Sequence, residues 1–274
     1  MTATLAHRTL FITGASRGIG KAIALRAARD GANVAVAAKT VDPGYKLPGT
    51  IFDTAREIEA SGGKALAIQV DIRSEDQVQA AVKATVERFG GIDILVNNAS
   101  AISLTGTLDT PAKKFDLMMA VNARGTFVCS QACLPHLLRS ENPHILVLAP
   151  PLDIQAKWFA RHGAYSLAKM GMSLLALGMA EEFRKDGVAV NCLWPRTLIA
   201  TAALRNVGVG LQGGTRNPEI VADAAYQILT ADSRRTTGNF FVDESVLHSA
   251  GVDSLDHYTT TPGVRPATDL FLPE

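Results

Sequence analysis

The sequence predicts an α/β chain: a doubly wound parallel sheet of about seven strands with helices on both faces. Three observations predict it. Strand-like runs alternate with helical patterns along the 274 residues, an order that gives right-handed crossovers. Most of the runs are continuously apolar rather than alternating, as expected of strands covered on both sides. A glycine-rich turn, Thr13-Gly14-Ala15-Ser16-Arg17-Gly18-Ile19-Gly20, joins the first run to the first helix.

The first strand is read at Thr9–Thr13, where Leu10-Phe11-Ile12 leads into that turn. The helix after it, Gly18–Asp30, sets Ile19, Ala22, Ile23 and Ala27 on one face. Glycines let the backbone turn tightly and approach a pyrophosphate, and free N–H groups at the helix start point at it. Gly14, Ser16, Arg17, Gly18, Ile19 and Gly20 are therefore candidate cofactor contacts. The spacing Gly-x-x-x-Gly-x-Gly taken alone also fits an ordinary helix-entry turn.

The second strand, Asn33–Ala38, runs into Lys39-Thr40. In such a sheet this end meets the adenosine ribose, where an acid would select the 2′-hydroxyl of NAD. Here Lys39 and Arg17 offer two cations and no carboxylate, with neutral bonds available from Ser16 and Thr40. That favours NADP(H). The loop Thr40–Thr50 is longer than the connection needs, and a helix follows at Ile51–Ser61. The third strand, Ala65–Val70, is closed by Asp71. Asp71 reads either as an acceptor for the adenine amino group or as a cap for the helix starting near Ser74.

After the helix Glu75–Phe89 and the strand Ile92–Val96 comes Asn97-Asn98-Ala99-Ser100. Side-chain amides there can bond backbone and order the crevice wall, so Asn98 and Ala99 join the candidate contacts. A long helical pattern, Lys113–Arg139, holds Asn122 in its middle. Asparagine is a poor helix former, which implies a local bend or a functional bond. The remaining elements are strands at His144–Ala149, Ala189–Leu193 and Asn239–Val242 and helices at Ala164–Lys185 and Pro218–Ala231. Gly31, Gly62-Gly63, Gly90-Gly91 and Gly187 stand where helix C-termini expect glycine. From Ser245 to Glu274 the chain carries Pro262, Gly263, Pro266 and Pro273 with little periodicity, as an irregular strap or an exposed arm. No internal repeat divides residues 1–274, which read as a single domain with that tail.

Tyr165 and Lys169 are four apart and share a helix face. A phenol ionises near 10. An ammonium at about 4 Å is worth roughly 4 kcal/mol at an effective dielectric of 20, enough to bring it toward 7 before burial opposes the change. Such a phenol is a usable acid–base.

A net charge of +1 gives no long-range pull on nucleic acid or an anionic membrane. No apolar run approaches the roughly 20 residues of a membrane span. Met1-Thr2-Ala3-Thr4 leads straight into the first strand, so no signal peptide is expected. Cys129, Cys133 and Cys192 form no framework, and the six histidines offer no complementary spacing, so no metal site is expected. The expected compartment is reducing cytoplasm.

Thr13–Gly20, Asp71, Asn97-Asn98-Ala99, Asn122, Tyr165-x-x-x-Lys169 and Asn191-x-x-x-Pro195 come in one order and spacing that resembles the short-chain dehydrogenase/reductase family over nearly the whole chain. The resemblance implies a Rossmann-like fold, with Tyr165 exchanging a proton while hydride moves to or from a nicotinamide. It implies Lys169 holding the nicotinamide ribose, Asn122 anchoring a relay water and Pro195 lining the cofactor. Lys39-Thr40, Asn98 to Ser103, Pro150-Pro151-Leu152, Gly178 to Phe183 and Trp194-Pro195-Arg196-Thr197 are more narrowly similar to a hydroxysteroid-dehydrogenase-like subgroup. Longer relatives of that kind append a sterol-carrier domain, which is not expected within this chain.

Three departures from the family pattern stand out. No Ser or Thr lies between Ala149 and Tyr165, and the subgroup would place its serine at Ala149. Losing that polarising bond costs on the order of 3 kcal/mol, a hundredfold in rate, unless a water or a protonated Asp153 substitutes. The usual Pro-Gly is Pro195-Arg196, and Thr201 falls one residue late for its carboxamide contact. Arg196 would then greet an acidic or thioester substrate or face solvent. Val242-Asp243-Glu244 replaces a Val-Asp-Gly-Gly ending associated with tetramer contacts.

The expected activity is NADP(H)-dependent interconversion of a carbonyl and an alcohol. Trp158, Phe159, Leu152 and Leu204 are candidates for an apolar substrate wall, consistent with a lipid-like or acyl substrate, or for ordinary core. A homodimer or homotetramer is expected. The rival readings are a catalytically weak NADP(H)-binding sensor and a structural module docking through its tail.

Overall fold

The computed structural model describes residues 4–44, 47–207 and 213–273. Seven parallel strands form the sheet, in the order β3-β2-β1-β4-β5-β6-β7. They are β1 (Thr9–Thr13), β2 (Asn33–Ala38), β3 (Lys64–Gln69), β4 (Ile94–Asn97), β5 (His144–Val147), β6 (Ala189–Trp194) and β7 (Phe240–Val242). The order reverses between β1 and β4, which pair in register Leu10↔Ile94 and Ile12↔Val96. Ligands in such sheets bind beyond the strand ends at this reversal.

The continuous apolar runs are explained by two cores, one per face. Leu10, Ile12, Val36 and Val96 pack with Ile23, Ala27, Ala224 and Ile228 on one side. Phe11, Ala35, Leu95 and Val147 pack with Val82, Val128, Cys133 and Met172 on the other. Successive strand residues point to opposite faces, so every position has to be apolar. The helices on the first face are α1 (Gly18–Ala28), α2 (Ile51–Ala60) and α8 (Glu219–Leu229); α3 (Glu75–Phe89), α5 (Gly125–Leu137) and α6 (Gly163–Glu182) cover the second.

Helix ends follow local chemistry. Thr50 and Asp53 form a reciprocal capping box on α2, and Ser74 caps α3 by accepting the Gln77 N–H. The cap of α3 is thus Ser74 and not Asp71. Gly90 closes α3 in the left-handed conformation, φ 90°.

Four boundaries differ from the expected ones. The fourth strand starts at Ile94, because the Asp93 carboxylate takes the Thr9 N–H at 2.8 Å and turns the chain there. The single helix expected over 113–139 is α4 (Ala112–Met118), a π-helical stretch Met119–Arg124 and α5. The tail is not irregular from its start: α9 spans Asp243–Ser249, and its residues after that form the strap, not an exposed arm. The short α7 (Ala202–Val207) was not expected at all. Of the loop Thr40–Thr50, positions 45 and 46 lie outside the described residues.

His144 opens β5 at 1% exposure, with Nε2–H donating to the Ala231 carbonyl at 3.1 Å. Its Nδ1 has no partner among the described residues, and burial pushes the imidazole down to about 4. The unfolded chain therefore binds the extra proton below its ordinary pKa near 6.5, while the fold resists until about 4. Stability from this group is complete above pH 6.5 and lost as pH falls toward 4. The stability difference between wild type and His144→Gln should shrink by about 2 kcal/mol from pH 7 to pH 5, measured by urea unfolding. A constant difference would reject the assignment.

Candidate active site

The chain reverses out of β1 through Gly14, at φ 66°. A Cβ there would lie 2.9 Å from Ala99 Cα, so the turn presses directly on the exit of β4. The two exits hold each other by hydrogen bonds. Asn98 Nδ2 donates to Thr13 O at 2.8 Å and Gly14 O at 3.2 Å. The Thr13 hydroxyl accepts the Asn98 and Ala99 N–H groups at 3.0 Å each and donates to Val96 O. Gly20 has no room for a side chain, since its Cβ would sit 2.4 Å from Asn98 Nδ2. Unlike α2 and α3, α1 starts with no side-chain cap and no acid in its first turn. Its first-turn N–H groups, beside Ser16, Arg17, Gly18 and Ile19, are left for an anion.

At the end of β2 the Lys39 side chain is 58% exposed, with Nζ 3.6 Å from Asp71 Oδ2. Asp71 is clasped by the Arg73 guanidinium, and those hydrogen bonds hold its carboxyl at about 2 despite burial. Lys39, Ile68, Val70, Asp71 and Gln77 line an open groove of about 640 Å³. Arg17 is placed otherwise than a cation waiting for phosphate. Its guanidinium donates to Pro48 O at 2.9 Å, Leu47 O at 3.3 Å and Gly49 O at 2.7 Å. Gly49, at φ 97°, is close enough that a Cβ would lie 2.7 Å from Ser16 O. The long loop is thus bound down over the glycine turn.

Tyr165 and Lys169 sit one turn apart on α6, at 5% and 3% exposure. Lys169 Nζ donates to the Leu148 carbonyl at 2.8 Å and lies 5.2 Å from the Trp194 ring centroid. One turn further on, Ser173 Oγ donates to Pro150 O at 2.7 Å. Two side chains four residues apart therefore dock α6 on the exit of β5. The Tyr165 ring stacks on Phe271 with centroids 6.2 Å apart. The expected lowering of the phenol by Lys169 is not what these residues produce on their own. Burial pushes Tyr165 up, helped by the negative charge of Asp269, and pushes Lys169 down to about 8. Desolvation of a phenolate outweighs a neighbouring ammonium whose proton is directed at a carbonyl.

Asn122 marks a local disturbance of its helix. It lies in the π-helical stretch, fully buried, with Nδ2 donating to Ala101 O at 3.0 Å and Oδ1 accepting Ala101 N–H at 2.7 Å. Ala149 is fully buried in the core. Asp153 is not a protonated stand-in for the missing serine. It accepts from Trp158 Nε1 at 2.7 Å and from Gln155, and the Trp158 bond leads the effects that hold its carboxyl below the usual range.

The tail closes the site. Its residues 266–270 run against the exit of β6: Leu198 N–H donates to Ala267 O, Asp269 N–H to Arg196 O, and Trp194 Nε1–H to Leu270 O. Phe271 and Leu272 fill a small core with Met118, Tyr165 and Trp194, which Leu152, Trp158 and Phe159 flank. Leu204, expected in the same wall, is on α7 and outside that cluster. Pro195 is buried at the end of β6, and the Arg196 N–H donates to Asp243 Oδ1 at 2.8 Å. Ser173, Asp269 and Phe271 were not singled out from sequence. For Ser173 the signal was there, four residues past Lys169; for Asp269 it was an acid next to Leu270-Phe271-Leu272 in a proline-rich tail. Among the described residues no group of three or more His, Cys, Asp or Glu could hold a metal ion, and no helix is long and apolar enough to cross a membrane.

The sequence profile of the short chain dehydrogenase family matches residues 8–209. Hydroxysteroid dehydrogenase-like protein 2 of Danio rerio is 58% identical over 274 residues, 99% of this chain and 65% of the relative. The human protein of the same name is 55% identical and likewise covered over 65% of its length. A solved structure from Xanthomonas campestris has 60% identity and TM-score 0.96, over 99% of this chain and 100% of that one. A metagenomic short-chain oxidoreductase in complex with NADP has 26% identity and TM-score 0.71, over 87% of this chain and 97% of that one.

Thr13→Val keeps the shape of β1 and removes the hydroxyl that serves Asn98 and Ala99. Two part-buried N–H groups then lose their acceptor, at about 2 kcal/mol. Urea unfolding should show that loss, whereas an unchanged midpoint would mean that other groups join the two exits.

Proposed function

The chain belongs to the short-chain dehydrogenase family, and from that premise we propose an NADP(H)-dependent oxidoreductase that interconverts a carbonyl and an alcohol on an apolar or acyl-type substrate. The observation that carries this reading is the burial of Tyr165 and Lys169 together at the exits of β5 and β6.

The residues fit a pyridine dinucleotide by one test in particular. Helix α1 opens directly from the glycine turn with neither the side-chain cap of α2 and α3 nor an acid in its first turn, which suits a pyrophosphate over Gly14, Ser16, Gly18, Ile19 and Gly20. Lys39 would meet the 2′-phosphate, Asp71 the adenine amino group, and Asn98, Ala99 and Pro195 the crevice wall. Arg17 would serve through the loop that it binds to the turn. The bound NADP of the metagenomic relative supports the phosphorylated dinucleotide. When bound, the cofactor supplies or accepts the hydride.

The chain's own groups handle the proton. Burial keeps the Tyr165 hydroxyl protonated at neutral pH, the state in which it donates to a carbonyl oxygen. Lys169, oriented by Leu148 O, would hold the nicotinamide ribose. Asn122, engaged with Ala101 in the π-helical stretch, would anchor a relay water. Phe271, Trp158 and Phe159 give the site an apolar wall.

A weaker catalyst or NADP(H) sensor is the second reading, favoured by the fully buried methyl of Ala149 where a hydroxyl would polarise the carbonyl. Phe127, Leu167, Leu174 and Leu177 stay 44–59% exposed on α5 and α6, which supports a second copy of the chain as their cover. Light scattering that returned the monomer mass would remove that proposal.

NADPH oxidation with a panel of acyl, steroid and simple carbonyl substrates tests the function. Tyr165→Phe should cost at least about a hundredfold in rate, and a variant as fast as wild type would end the Tyr165 assignment. Ala149→Ser should raise the rate by up to about a hundredfold if the missing hydroxyl limits it, while fast wild-type turnover would dismiss the sensor. Lys39→Ala should weaken NADPH about tenfold more than NADH, by fluorescence titration; equal losses would contradict the cofactor assignment.

A further inference from the structure

We propose that Asp269, brought in by the C-terminal strap, is the counter-ion of Lys169 and so a positioning residue for the Tyr165–Lys169 pair. The proposal rests on the oxidoreductase reading for its consequence in catalysis, and on the strap's geometry for the pairing itself.

The strap reaches this place by several independent bonds. Asp269 N–H donates to Arg196 O at 3.0 Å, and Trp194 Nε1–H to Leu270 O at 2.8 Å. Trp194 is the same ring that lies 5.2 Å from Lys169 Nζ. Phe271 is 3% exposed at φ 70°, a left-handed conformation that a bulky residue keeps only when its surroundings over-determine it. It is stacked on Tyr165 and edge-on to Trp194 at 5.7 Å. The register of the strap is therefore fixed at Asp269. One carboxylate oxygen accepts the Leu270 N–H at 2.7 Å. The other takes no hydrogen bond from the described residues, and the charge acts on both Lys169 and Tyr165.

Lys169 has few other ways to stay charged. Its own helix offers Tyr165, a neutral phenol. From β5 it receives a single carbonyl, Leu148 O, and from β6 the Trp194 face and the Cys192 thiol, which burial keeps neutral with its pKa near 12. A buried ammonium with one carbonyl and a ring lies well below its ordinary range, at about 8. Asp269, held two residues before the Phe271 that stacks on Tyr165, brings a negative charge to bear on it without a direct ion pair among the described residues. Behind Asp269 stand Asp243, whose Oδ2 is buried without a partner, and then the Arg216–Glu244 ion pair. Burial, with the charge of Asp243 adding to it, raises Asp269 to about 7. The group is thus poised to carry charge near neutrality. A negative Asp269 keeps Lys169 protonated and also keeps the phenol protonated. Both are the states that carbonyl reduction needs.

Asp269→Asn is nearly isosteric and keeps the oxygen that accepts the Leu270 N–H, so the strap should stay seated. The charge alone is removed. In the bare protein the titration of Lys169 is read from the 13Cε signal of labelled lysine, assigned by its loss in Lys169→Arg. Asp269→Asn should lower the midpoint by about one pH unit, and Asp269→Glu should restore most of it. In turnover, the alkaline limb of NADPH-dependent carbonyl reduction should move to lower pH in Asp269→Asn and back in Asp269→Glu. An unmoved Lys169 midpoint, or equal behaviour of the Asn and Glu variants, would overturn the pairing and leave the strap as packing only. Absence of turnover in wild type would instead strike the oxidoreductase reading, and the midpoint would still decide the pairing.

Discussion

The geometry of the site depends on one hydrogen bond, from Lys169 Nζ to the carbonyl of Leu148. A cation withdrawn from water must find acceptors or lose its proton, and the exit of β5 supplies one. Ser173 repeats the tie one turn along, to Pro150. Together they fix the rotation of α6 about its own axis, with Tyr165 set against Phe271. Trp194 from β6 lies beneath the ammonium and Phe271 from the strap against the phenol. Three separate parts of the chain therefore meet on one buried charge.

The two halves of the crevice are built on opposite principles. The end that holds Tyr165 and Lys169 is buried among apolar side chains, so each charge within it acts strongly on the others. At the other end, Lys39, Asp71 and Arg73 form an ionic cluster open to solvent, where screening weakens each pair. Between them stands a neutral joint. The Asn98 amide holds the carbonyls of Thr13 and Gly14, and the Thr13 hydroxyl holds the N–H groups of Asn98 and Ala99. Polar groups facing the reversal of strand order are satisfied there without any charge, and the first turn of α1 keeps its donors for an anion.

Much of this was legible from local pattern. The glycine turn, the apolar strand runs and the Tyr165–Lys169 spacing all act over a few residues, and secondary structure converts such spacings directly into shared faces. Asn122 announced a disturbance of its helix by its poor propensity, and the π-helical stretch is there. The direction in which the phenol shifts was misjudged for a physical reason. The spacing gives the distance to the ammonium, but the cost of burying a phenolate depends on what covers it, and that cover is Phe271, more than 100 residues away in the chain.

By itself the sequence determined the sheet, the order of its elements, the place of the glycine turn and the shared helix face of Tyr165 and Lys169, because each follows from periodicity or from residues close together in the chain. Tertiary structure alone decided where Arg17 points, that Asp153 is engaged by Trp158, and that Asp269 is tied to Arg196 and Phe271 stacked on Tyr165. Those outcomes depend on which distant segments come within a few ångströms once the chain is compact. A proline-rich tail without periodicity carries no local mark of the surface on which it will lie.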